Sequence, residues 1–118
     1  MATHEFGILP EFEPGKWYQE YEPERYGCIR VEDDLIEDML LTYTEEFSKM
    51  EAYACTSLQP IKGLNYCGVT LIPPRSLDAF YALVQQYQSA RCHPELDALL
   101  TIITSAMAEG SYLIHFGI

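Results

Sequence analysis

The chain has 118 residues, 48% hydrophobic and 13% aromatic, enough for one domain (1–118) with a core of its own. A formal net charge of −11 disfavours binding to nucleic-acid phosphates or anionic lipid, and no basic patch relieves it. The opening MATHEFGILP lacks a basic stretch running into an apolar one, and LLTIITSAMA is too short and hydroxyl-rich to span a membrane, so the expected setting is the cytoplasm.

Residues 5–9, EFGIL, read as a short strand. The segment 10–26, PEFEPGKWYQEYEPERY, carries Pro10, Pro14, Gly15 and Pro23, which forbid a long helix or a central strand. Irregular segments of this length are functional or disordered. The rings of Phe12, Trp17, Tyr18, Tyr21 and Tyr26 argue against disorder, so the segment is expected to lie against the body of the domain. It also opens the acidic part of the chain. From Met1 to Glu51 fourteen Asp and Glu face four Lys and Arg, whereas the remainder holds four acids and three bases.

GCIRV, residues 27–31, predicts a strand with Ile29 and Val31 on one face. Glu32, Asp33 and Asp34 suit the start of a helix, where carboxylates meet the positive end of the dipole. Ile36, Met39, Leu40, Tyr43, Phe47 and Met50 then recur at helical spacing, predicting one amphipathic helix over about 34–49 with Glu37, Asp38, Glu45 and Glu46 on its solvent side.

AYACTSL and NYCGVTLI predict a hairpin, with QPIKG supplying turn chemistry between them. Pro73-Pro74 ends the second strand. Ser76 is placed to cap a helix striped by Leu77, Phe80, Tyr81, Val84 and Tyr87. Pro94 suits the first turn of another helix, striped by Leu96, Leu99, Leu100, Ile103 and Met107 and closed by Gly110. The final SYLIHFGI is a strand. Period two places Tyr112, Ile114, Phe116 and Ile118 on the expected core side, and His115 on the side away from the helices. The order predicts an α+β domain: a mainly antiparallel sheet of four to five strands with three helices on one face.

Three constellations carry the chemistry. His115 is of the residue type whose side chain ordinarily takes up a proton near neutral pH. If segment 10–26 folds across the face opposite the helices, then Tyr66, Cys67, Tyr112 and His115 form a ligand site, with Cys28 as a second thiol for a Cys–His pair. Against this, a thiolate needs positive surroundings, and thiols in the strands of an acidic protein are inert. The run Cys92-His93 with Glu95 holds three metal-ligand types without the fourth ligand and spacing of a zinc site, so His93 is read as a helix N-cap and no metal or cofactor is expected. No nucleophile elbow, phosphate-binding glycine loop or zincin motif occurs, and no residue is assigned as catalytic. The four cysteines lack a C-x-x-C pair and are expected as free thiols.

The third constellation is the acidic-aromatic segment. Glu11, Glu13, Glu20, Glu22 and Glu24 interleave with Trp17, Tyr18 and Tyr21, combining long-range attraction for a basic protein with the side chains that anchor interfaces. The stretch GLNYCGVTLIPPRSL, with the terminal IHFGI, resembles small uncharacterised bacterial cytoplasmic proteins, some similar to immunity proteins of toxin systems. The resemblance implies a bacterial, non-secreted, non-enzymatic protein; immunity proteins as a group are small, often acidic, and neutralise a toxin by tight binding. The preferred reading is therefore an acidic binding protein whose partner is basic, a nuclease-like toxin being one candidate. A small-molecule protein or minor enzyme around His115 is the alternative, and a homodimer through the acidic loop or the terminal strand is a third reading.

Overall fold

The computed structural model describes residues 2–118. It is an α+β domain built on one antiparallel sheet of six strands: β1 (Thr3–Leu9), β2 (Ile29–Glu32), β3 (Glu51–Ala54), β4 (Pro60–Lys62), β5 (Val69–Ile72) and β6 (Tyr112–Phe116). Their order across the sheet is β2-β1-β6-β5-β3-β4. The helices are α1 (Asp33–Thr42), α2 (Thr44–Phe47), α3 (Pro74–Arg91) and α4 (Pro94–Glu109), with a single 3-10 turn at Pro23–Tyr26. No helix among the described residues is long and apolar enough to cross a membrane.

Local chemistry explains where the elements depart from expectation. The sixth strand is β4, part of QPIKG, because the tight turn falls earlier: Ala54 N–H donates to Gln59 O across a bend in which Cys55 adopts a left-handed φ of 64°. Pro60 can open β4 because this strand is at the sheet edge, where a missing N–H costs no ladder bond. The helix expected over 34–49 breaks at Tyr43 (φ −114°, ψ 37°) into α1 and α2. Thr44 Oγ1 donates back to the Leu40 and Leu41 carbonyls there, a local bond that bends helices. Ser76 does not cap α3. Pro73 occupies that position, and Ser76 Oγ instead donates to the Glu51 carbonyl at 2.6 Å, tying α3 to β3.

The main core lies between the sheet and the helices, with Phe6, Val31, Ile36, Met39, Ile72, Leu77, Phe80, Val84, Leu99, Ile103 and Leu113 buried together. A second, smaller core lies on the opposite face: Leu9, Val69, Leu71, Ile114 and Phe116 are covered by Tyr18, Phe12 and Tyr26 of the 10–26 segment. The expected orientation of the last strand is thereby reversed. Leu113 and His115 face the helices, whereas Ile114 and Phe116 face the loop. β6 is central and apolar on both sides, so alternation alone could not choose a face. Pairing decides it, because Phe6 opposes His115 and Ile8 opposes Leu113, and the Phe6 ring packs 5.9 Å from Phe80 of α3.

The chain end closes against the segment before β5. Gly117 N–H donates to Gly68 O (2.7 Å) and Ile118 N–H to Tyr66 O (3.1 Å). A Cβ on Gly117 would overlap the Tyr66 carbonyl oxygen and come within 2.8 Å of Gly68 N, both backbone atoms that cannot swing aside. Gly117→Ala is expected to cost about 2 kcal/mol, the middle of the range for overpacking, read as a lowered urea midpoint at unchanged m-value.

Candidate functional site

The 10–26 segment is a loop whose inner side is fastened to the sheet. Phe12 stacks flat on Tyr112, ring centroids 4.0 Å apart, and Tyr21 meets Phe116 edge-on at 5.4 Å. Tyr18 is buried. Its N–H donates to Cys55 O at 2.7 Å, and its hydroxyl accepts the Glu13 N–H at 2.9 Å. Gly15 N–H donates to Ser57 Oγ at 2.8 Å, with Gly15 in the left-handed region (φ 80°) that the turn requires. Beneath the loop, the buried carboxylate of Glu5 accepts Arg30 Nε at 3.1 Å.

The outer side presents what the inner side does not use. Trp17 is 49% exposed and Tyr21 64%. Trp17, Tyr18 and Tyr26 help line a concavity of about 410 Å³ together with Lys16, Glu20, Glu22 and Arg25. Both cations are matched, Lys16 by Glu13 at 3.9 Å and Arg25 by Glu22 at 3.3 Å. They also rest over aromatic rings, Lys16 5.1 Å from the centroid of Tyr18 and Arg25 5.9 Å from that of Tyr26. Glu11, Glu20 and Glu24 are exposed and take part in no ion pair among the described residues. The N-terminal acids do not gather on a single face, however. Those of the loop lie over one side of the sheet, and those of α1 lie on the helical side.

Of the residues read as a ligand site, the fold separates Tyr112 from His115 on opposite faces of β6, and Cys67 is exposed. The loop does cross the sheet as that reading required, but His115 points to the other side, fully buried with its ring 4.8 Å from Phe6. Cys28 lies on the loop side, its thiol pushed up to about 12 by burial and, secondarily, by Glu5 and Glu24, which keeps it protonated and unreactive. His93 caps α4 by accepting the Glu95 N–H at 3.2 Å, while the Glu95 carboxylate accepts the Glu32 N–H at 2.7 Å. Both groups are thus engaged, and among the described residues no group of three or more His, Cys, Asp and Glu is placed to hold a metal ion.

His115 instead belongs to a buried polar chain. Asn65 N–H donates to Thr70 Oγ1 (2.8 Å), Thr70 Oγ1 meets His115 Nδ1 (3.2 Å), His115 Nε2 meets His4 Nδ1 (2.8 Å), and His4 Nε2 meets Asp33 Oδ1 (2.9 Å). The Tyr66 hydroxyl donates to the same Asp33 oxygen. A carboxylate only accepts, so His4 Nε2 carries a hydrogen. Where His4 Nδ1 accepts, His115 Nε2 donates to it and the Thr70 hydroxyl donates to His115 Nδ1, so every atom of the chain has a complementary partner. The bonds from Tyr66 and His4 hold Asp33 below the usual carboxylate range, and the Asp33 carboxylate raises the Tyr66 phenol. Burial, with a smaller contribution from His4, lowers His115 to about 3.

His4 precedes the strand expected over 5–9 and is assigned no role by the sequence, because 111 positions separate it from His115 and spacing carries no trace of the pair. Asp33, read only as a helix-start acid, does begin α1, but its side chain caps no backbone N–H and turns inward to His4. The His4 and His115 rings are fully buried beside Phe6 with their nitrogens engaged, which makes this pair a structural network, and the chain meets the surface at Asp33 and Tyr66. No protein-family model, curated protein or solved structure matches the chain.

Proposed function

We propose that this protein is an acidic binding protein that docks a basic protein partner on its 10–26 loop, with Trp17 as the anchor. The observation that carries the reading is the division of labour within the loop: Phe12 and Tyr18 are spent on the sheet, while Trp17 and most of Tyr21, which touches Phe116 by one edge, remain exposed beside unpaired Glu11, Glu20 and Glu24. Rings held on a fastened backbone lose little entropy on binding. The loop already seats its own Lys16 and Arg25 over tyrosines, the chemistry by which an incoming cation would be met on the open face of Trp17. Inhibition of a nuclease-like toxin, in the manner of an immunity protein, suits this chemistry because a phosphate-binding cleft is basic. Bacterial origin and a cytoplasmic setting belong to the same proposal.

The test is affinity capture of partners followed by titration of the captured protein at rising salt. The expected partner is basic, its affinity falls with ionic strength, and Trp17→Ala weakens it by about 2 kcal/mol, roughly 30-fold, without moving the unfolding midpoint. Partners that are neutral or acidic, with binding indifferent to salt and to Trp17, would overturn the reading.

A further inference from the structure

From the groove between α1 and Tyr66 we infer a second interaction surface, on the helical side of the molecule, that takes an apolar side chain carried by a cationic amphipathic segment of a protein partner. The groove is lined by Glu37, Leu40, Leu41 and Tyr66, encloses about 290 Å³, and is almost wholly apolar. It is shallow and lies at or below the roughly 300–1,000 Å³ range of small-molecule pockets, so a protruding side chain suits it better than a free ligand. Leu41 is 69% exposed at its edge, whereas Leu40 turns its inner side to the main core.

The wall is preformed. Tyr66 is pinned through its hydroxyl to Asp33, and its ring lies 5.2 Å from that of His4, so the buried polar chain holds the side chain that shapes the groove. A wall fixed in advance loses little on binding.

Charge selects the occupant. From Val31 to Ser48 the chain carries seven acids and no Lys or Arg. Asp38 is neutralised by Arg91 at 3.0 Å and Glu45 is paired with Lys49 at 3.6 Å. Asp34, Glu37 and Glu46 are exposed and in no ion pair among the described residues. A second copy of this chain would bring like charge against like charge, whereas a helix with lysines flanking leucines places an apolar knob in the groove and ammonium groups at its rim. The surface is separate from the loop and does not depend on the proposal for it.

The probe is a helical peptide of leucine and lysine in amphipathic order, with a scrambled peptide of the same composition as control, titrated by calorimetry into the intact protein. The ordered peptide is expected to bind more tightly than the scrambled one. Leu41→Ser should weaken it about tenfold, the loss expected on withdrawing one leucine from burial. Glu37→Gln should weaken it less and reduce its salt dependence, and Leu58→Ser, at an equally exposed leucine outside the groove, should leave it unchanged. Equal binding of the two peptides, or binding that survives Leu41→Ser, would overturn the assignment. So would a wild-type dimer in light scattering that Leu41→Ser dissociates, which would make the occupant a second copy.

Discussion

Acidification below about pH 6.5 is expected to reduce the unfolding free energy by about 1.4 kcal/mol per pH unit on account of His115 alone. The sign follows from where the proton resides. In the unfolded chain the imidazole takes a proton as the pH falls through its ordinary value of 6.5, whereas in the folded protein burial holds it neutral down to about 3. Between those limits the unfolded state binds the extra proton, so stability is complete above 6.5 and is lost progressively below it. The loss reaches roughly 3 kcal/mol by pH 4.5, a large part of the 5–15 kcal/mol by which a domain is normally stable. Asp33 and Asp38, held low by their hydrogen-bonding partners, add their losses only below the ordinary carboxylate range, outside the window from 6.5 to 4.5, and comparison with a His115 variant assigns the loss within that window to this residue. Urea titrations at a series of pH values give the slope. His115→Leu should flatten it by about one proton while costing about 1–3 kcal/mol at pH 7, because His4 Nδ1 is left buried without a partner. Equal slopes in the two proteins would mean that His115 is protonated in the folded state, contrary to its burial.

Much of the fold was legible because local rules and tertiary packing agree. The stripes Leu77, Phe80, Val84, Tyr87 and Leu96, Leu99, Ile103 are the buried faces of α3 and α4, and Gly110 closes α4 in the left-handed conformation expected of it. Disagreement arose where a segment has two apolar faces or none. In β6 either set of alternate residues would serve a core, and only pairing with β1 assigns them. In β4 no residue is fully buried, so the strand leaves no hydrophobic period and QPIKG reads as a turn. That the loop packs on the sheet follows from the density of rings in a segment that cannot be a helix or central strand, although Tyr18, expected among the partner-binding side chains, turns inward. Which rings remain outside does not follow, because the choice depends on Tyr112, Phe116 and Cys55, supplied from distant parts of the chain. The histidine pair was invisible for the same reason.

Truncating Tyr18 is expected to separate the two roles of the loop. Its ring fills the second core beside Phe12, and its hydroxyl satisfies the Glu13 N–H. Tyr18→Ala therefore empties a packed site and leaves that donor without its partner, at a cost of about 3 kcal/mol or more, the range for truncating large buried aromatics. Tyr18→Phe keeps the ring and should cost only about 1 kcal/mol. Because Trp17 is adjacent in sequence and rides on the same anchor, Tyr18→Ala should also weaken capture of a basic partner, with faster hydrogen exchange across 10–26 as the sign that the loop has come loose. Trp17→Ala has the opposite profile: affinity falls while stability and exchange stay within the small changes typical of exposed positions. The pair of variants thus distinguishes a ring that builds the surface from one that is the surface. A Tyr18→Ala protein that keeps both its stability and its slow exchange would show that the backbone bonds of Gly15 and Tyr18 to Ser57 and Cys55 hold the loop without the ring, and that Trp17 needs no aromatic support beneath it.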